Sequence, residues 1–139
     1  MTDKVRSVYL PVVRDMLPVM LRIFDFSESM MTDSQRESNS TAAQALFMLN
    51  DKFVINQSDR LAKKLLKEVK GSDAQIKQAF LLCYNRPARN DELYAAKRLF
   101  SSFRSDKDLK KKTKQTQAFV PLSAVCQALF ASAEFRYKN

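Results

Sequence analysis

Histidine is absent from the chain, and with it go the Ser-His-Asp triads, the Cys-His dyads and the commonest zinc ligand. Glycine occurs once, at Gly71, so there is no glycine-rich loop to cradle a phosphate. With only four prolines beside it, the turn chemistry that an all-β sandwich needs is missing, and helices are favoured. The two cysteines, Cys83 and Cys126, form no C-x-x-C-H motif, so this chain attaches no haem of its own. Both fall on apolar faces of expected helices; buried free thiols and a disulfide between two packed helices are the two open readings. No apolar run approaches the length of a membrane span, and Met1 to Asp15 carries charges where a signal peptide needs an apolar core.

Acidic residues are the scarcer sign, 15 against 24 Lys and Arg, which leaves a net charge of +9 that would attract nucleic acid or an anionic surface. Much of the excess collects in Lys107, Lys110, Lys111, Lys112 and Lys114, where only Leu109 is apolar, and this reads as a solvated basic loop. No aromatic residue is interleaved there and no nucleic-acid motif accompanies it. Charge alone supports only non-specific, salt-sensitive binding, so no specific nucleic-acid partner is expected. Asp91-Glu92 opens a helix, and Asp106 and Asp108 sit among lysines; neither pair has the apolar setting that raises a catalytic pKa. The six methionines read as gap-filling core residues rather than a metal site. No catalytic constellation and no metal-ligating set emerges.

What is present is enough for one folded domain over residues 1–139: a hydrophobic fraction of 45% and a length that buries a real core but is too short for two. The expected fold is all-α, a single compact domain of about five helices with an extended N-terminal arm and a long polar loop before a central helix. The arm is Arg6 to Val13, rich in β-branched residues and interrupted by Pro11. Pro18 suits the first position of a short apolar helix through Phe24, and Phe26 to Asn39 has no helical periodicity. Ala42 to Leu49 is apolar on nearly every side, with Ser40 placed to cap it, and should be the most buried helix. Arg36, Asn39, Ser40, Gln44 and Asn50 lie before, on and after it. They either tie the loop to the helix ends or face a ligand.

Further along, Asp51 can cap a helix in which Val54, Ser58, Leu61, Ala62, Leu65 and Val69 share one face. Gly71 ends it, and Ser72 with Gln75 has the capping-box pattern of the next, whose buried face is Ile76, Ala79, Phe80 and Cys83. Asn85-Arg86-Pro87 breaks that helix. Leu93, Ala96, Phe100 and Phe103 mark a fourth, and Pro121 is placed to open a last helix burying Leu122, Val125, Cys126 and Leu129.

Arg36, Ser40, Gln44-Ala45-Leu46, Leu49-Asn50 and Phe53-Val54, with Arg6-Ser7-Val8-Tyr9 and Phe24-Asp25 upstream, resemble the planctomycete-specific domain also catalogued as domain of unknown function 1553. The turn motif Arg86, Pro87 and Glu92, and Ser132 with Glu134-Phe135, continue the resemblance in order over almost the whole chain. Asn85 stands where the family usually has Gly, a mild change because Asn tolerates the left-handed conformation. Arg89 stands where it has a capping Thr; Arg89 is not expected to cap, whereas Asn90 can, which would shift the helix start by one residue.

The resemblance implies a C-terminal part of a large, mostly exported protein of the periplasm or cell envelope, behind a cytochrome c-like domain. Any haem and any export signal would then belong to other domains. It implies no mechanism. The expected role is a non-catalytic structural or interaction module that packs on other domains of the same protein or on a protein partner. The alternatives are a share of an active-site cleft completed by upstream domains and, third, a non-specific nucleic-acid binder. Exposed Val8, Tyr9, Val12 or Val13 would allow self-association through residues 5–13.

Overall fold

The structure, a computed structural model, describes Tyr9 and residues 19–24, 42–105 and 107–136. It divides into two compact units, Met1–Phe47 and Met48–Asn139. Within the first lies α1 (Val19–Ile23), followed by Phe24, whose N–H donates to the Met20 carbonyl at 3.1 Å. The Phe24 ring meets Phe47 edge-on, with centroids 5.8 Å apart. The arm, the polar loop, and Arg36, Asn39 and Ser40 with it, lie outside the described residues, apart from Tyr9, which is exposed.

The second unit is built around α7 (Lys114–Ala131), which packs against α3 (Lys52–Glu68), α4 (Ser72–Tyr84), α5 (Asn90–Ser105), α6 (Lys107–Lys110) and α8 (Ala133–Arg136). Its closest companion is α3. Asp51 caps α3, its Oδ1 accepting from the Phe53 N–H at 2.8 Å. The apolar stripe that follows buries Val54, Ser58, Ala62 and Leu65 as its spacing predicts. Ser58 spends its hydroxyl on the Val54 carbonyl at 2.8 Å, so its burial leaves no polar group unmet. Ala62 and Leu65 join Ile76, Ala79 and Phe80 of α4, Ala96 of α5, and Leu122, Val125, Cys126 and Leu129 of α7 in one core. Each large aliphatic side chain so buried stabilises the fold by about 1.5–3 kcal/mol. Across the α3–α7 seam Ser123 donates to Asp59 Oδ1 at 2.5 Å, and Gln127 Nε2 of α7 donates to the Leu49 carbonyl, which precedes α3, at 2.7 Å.

The described residues form helices and no strand, and five helices have seven or more residues, as expected; the first of these five is α2, Ala42–Asn50. This α2 is not the most buried helix. Gln44 and Met48 are buried, but Leu46 is 59% exposed and Leu49 48%. Apolarity all round is a signal of a central helix only where neighbours surround it. In this chain α7 is the helix that combines such a composition with neighbours on several sides, and it holds the centre.

Helix α7 is the expected last helix with its expected buried residues, but it begins at Lys114 and not at Pro121. Pro121 sits in the helix interior and is buried, while Thr113 caps the start and accepts from the Thr116 N–H. Pro121 has no N–H for the Gln117 carbonyl, a loss of about 3 kcal/mol in an exposed helix that burial and packing of the ring offset here.

The basic segment is not one loop either. Lys107–Lys110 form a helical turn, and Lys114 is already the first residue of α7. Gln117 Nε2 pins the turn between them through the carbonyls of Lys110 and Lys112, at 3.0 and 2.9 Å. The capping box at Ser72 is not made. Gly71, at φ +91, is the cap itself, and the buried Gln75 sends its Nε2 to the Val69 carbonyl at 2.8 Å, closing the α3–α4 turn.

Candidate functional site

The residues with the most developed polar geometry gather where α4 ends, α5 begins and α8 closes. Asn85 terminates α4 in the left-handed conformation, φ 55, with its N–H on the Leu81 carbonyl at 2.9 Å, so Asn does what glycine does at such a position. That reversal turns Arg86 toward Glu92 of α5 and Glu134 of α8. A guanidinium offers five N–H donors in a planar fork, and all five find an acceptor here. Nε and Nη2 grip both oxygens of Glu134 at 2.6 Å. Nη1 and Nη2 grip those of Glu92 at 2.9 and 2.7 Å, and Nη1 also reaches the Pro87 carbonyl at 3.0 Å.

Glu92 is equally occupied. It stands in the first turn of α5, where negative charge suits the helix dipole, and its Oε2 accepts the Arg89 N–H at 2.7 Å. That is one half of a capping box. Arg89 therefore holds the cap position after all, with Leu93 N–H on its carbonyl at 2.9 Å, and Asn90 is the first helical residue rather than the cap. The Arg89 guanidinium adds a second contact to Glu92 at 3.1 Å.

Tyr84 and Ser132 brace the same corner. The single phenolic proton of Tyr84 goes to Ser132 Oγ at 2.8 Å, with the Leu129 carbonyl the longer alternative at 3.2 Å. Ser132 passes its own proton to the Leu129 carbonyl at 2.8 Å and accepts the Phe135 N–H at 3.2 Å, which starts α8. The Arg86 guanidinium lies over the Tyr84 ring, 5.3 Å from its centroid, and Phe130 packs on Phe135 at 4.9 Å.

The electrostatics follow from these bonds. Those from Arg86 hold the Glu92 carboxyl far below its usual range, at about 2, against partial burial, which pushes the other way; Arg86 also lowers Glu134. In return the two carboxylates raise Arg86, Glu92 foremost. Carboxylates so paired with Arg86 stay ionised at neutral pH, and Glu92, with a contact on each of its acceptor positions, has no lone pair to spare. The arrangement is a clasp between three chain segments. Cys83 and Cys126 are free thiols, raised by burial to about 11 and about 12, so both are protonated and unreactive at neutral pH.

Of the other expected site residues, Gln44 is buried on α2, whereas Asn50 is exposed at its last position. Lys110, Lys111, Lys112 and Lys114 are exposed, and the Lys107 side chain lies outside the described ones. The role of Glu134 as the second partner of Arg86 was not foreseen. Glu134 stands in the Ser132, Glu134-Phe135 run that carries the family resemblance, but nothing in the run pairs it with Arg86. Among the described residues no three of Cys, Asp and Glu gather as a metal site, and no helix is long and apolar enough to cross a membrane.

No curated protein and no solved structure matches the chain. A protein-family profile does, over residues 1–100, and it is described as "Protein of unknown function (DUF1553)". The matched stretch includes Arg86, Pro87 and Glu92 and stops short of Ser132, Glu134 and Phe135. On that match the chain belongs to the DUF1553 family.

Proposed function

We propose that the chain is a non-catalytic helical interaction module that packs on other domains of a larger protein or on a protein partner. One observation carries the reading. The best-developed polar constellation is closed on itself, while large apolar side chains at the edge of the second unit stand in solvent: Leu49, Ile55 and Phe53, the last 62% exposed. Apolar surface of this kind is expected where another protein docks. Self-association through residues 5–13 belongs to the same proposal, with Tyr9 74% exposed.

Sedimentation velocity tests it with the intact chain, a variant lacking residues 1–13, and the double variant Leu49→Ser, Phe53→Ser, each alone and mixed with the upstream part of a family protein supplied as a separate polypeptide. Association by the intact chain that either change weakens is the expected result. A monomer that binds nothing under every condition would overturn the module reading.

A further inference from the structure

Away from the clasp, the end of α3, the start of α4, the middle of α5 and the first turns of α7 enclose an open groove of about 700 Å³. Half-buried Leu66, Phe100, Phe103 and Ala118 form its apolar lining, and exposed Lys97, Lys110 and Lys114 stand along it. Lys97 is engaged by Asp73 at 2.5 Å. Among the described residues no carboxylate pairs with Lys110 or Lys114. A second depression of about 560 Å³ shares Leu66 and repeats the pattern with Lys63, Lys67 and Phe119; the Lys63 ammonium lies 5.5 Å from the Phe119 ring centroid. The lysines that read as a featureless solvated run in the sequence are thus divided. Lys110 and Lys114 line the groove beside aromatic residues from α5, whereas Lys111 and Lys112 do not.

We propose that this double groove binds an extended acidic segment of a protein partner, one that carries apolar side chains between its carboxylates. The inference rests on the interaction-module reading and gives the partner's chemistry. Two linked, open depressions suit a chain lying across the surface, whereas a small molecule is usually enclosed by its pocket. Apolar linings between unpaired ammonium groups recognise alternating apolar and acidic side chains, and a chain of net charge +9 draws such a partner in. Nucleic acid fits less well. Base stacking needs open ring faces, and Phe100 and Phe119 are packed against the core. No arginine lines either depression to grip a phosphate with two bonds.

The test is fluorescence anisotropy of the full chain with a labelled peptide of alternating glutamate and leucine. The double variant Lys110→Glu, Lys114→Glu should weaken binding about tenfold or more, and Lys63→Glu, Lys67→Glu should weaken it in the same direction. The variant Lys111→Glu, Lys112→Glu makes the same change in net charge outside the lining and should leave the affinity within about twofold. A glutamate and serine peptide should bind about tenfold more weakly than the leucine one. All these lysines are exposed, so circular dichroism and the melting temperature should stay at their parent values.

Equal losses from the 110/114 and 111/112 variants would reduce the groove to a diffuse field and overturn the proposal. So would equal binding of the serine peptide, or displacement of the peptide by oligothymidylate. If those arms fail while sedimentation still finds association through Leu49 and Phe53, the groove assignment falls and the module reading stands.

Discussion

Replacing Arg86 by Lys keeps the charge but removes the planar fork, and a single ammonium cannot hold both oxygens of Glu92 and of Glu134. Arg86→Lys should therefore melt well below the parent chain and close to Arg86→Ala, as followed by circular dichroism; full rescue by Lys would mean that charge alone matters. The acid limb gives an independent check. Because the folded Glu92 carboxyl is depressed from 4.5 to about 2, its contribution is present above the unfolded value and is lost as pH falls through the folded one. Denaturant midpoints measured from pH 5 down to pH 2 should fall more steeply for the parent than for Glu92→Gln. The thiols offer a third reading at this scale. A chromogenic disulfide reagent at pH 8 should label the native chain slowly, Cys83 before the more deeply buried Cys126, and the denatured chain at once.

Among the elements, α3 and α7 form the most extensive pairing, and each has a point where its contribution can be measured. Asp51→Ala removes the cap bond to Phe53 and should cost about 1 kcal/mol by urea denaturation. Leu122→Ala opens a cavity at a fully buried position facing the core and should cost about 2–5 kcal/mol. How far these elements could be read from the sequence depended on how local their cause is. The amphipathic stripe of α3, its Asp51 cap and the Asn85 stop are each specified within a few residues, and all were anticipated. The length of α7 was not, since Pro121 read as a start when its ring is tolerated inside a packed helix. The apparent centrality of α2 failed for a related reason: composition reports what a helix would bury, and only its neighbours decide what it does bury. The clasp was half visible. Arg86 and Glu92 are near in sequence, but Glu134 lies 48 residues from Arg86, and no local pattern reports a pairing over that distance.

At the scale of the whole molecule, the buried core cluster among the described residues runs from Ala62 to Leu129, inside the second unit. A chain of residues 48–139 should therefore be helical and unfold cooperatively when followed by circular dichroism against urea; a gradual, non-cooperative loss of helix would show that the core needs the first unit. The clasp carries a consequence for how that unit comes into being. Tyr84 waits for Ser132 and Arg86 for Glu134, just as α3 waits for α7. Helices α3 to α5 must leave the ribosome with their principal partner still unsynthesised, and the corner between α4 and α5 stays unlatched until residues 132–134 emerge. Closure of that corner is thus the late event, with the turn of α8 acting as the stitch that closes a seam opened 48 residues earlier.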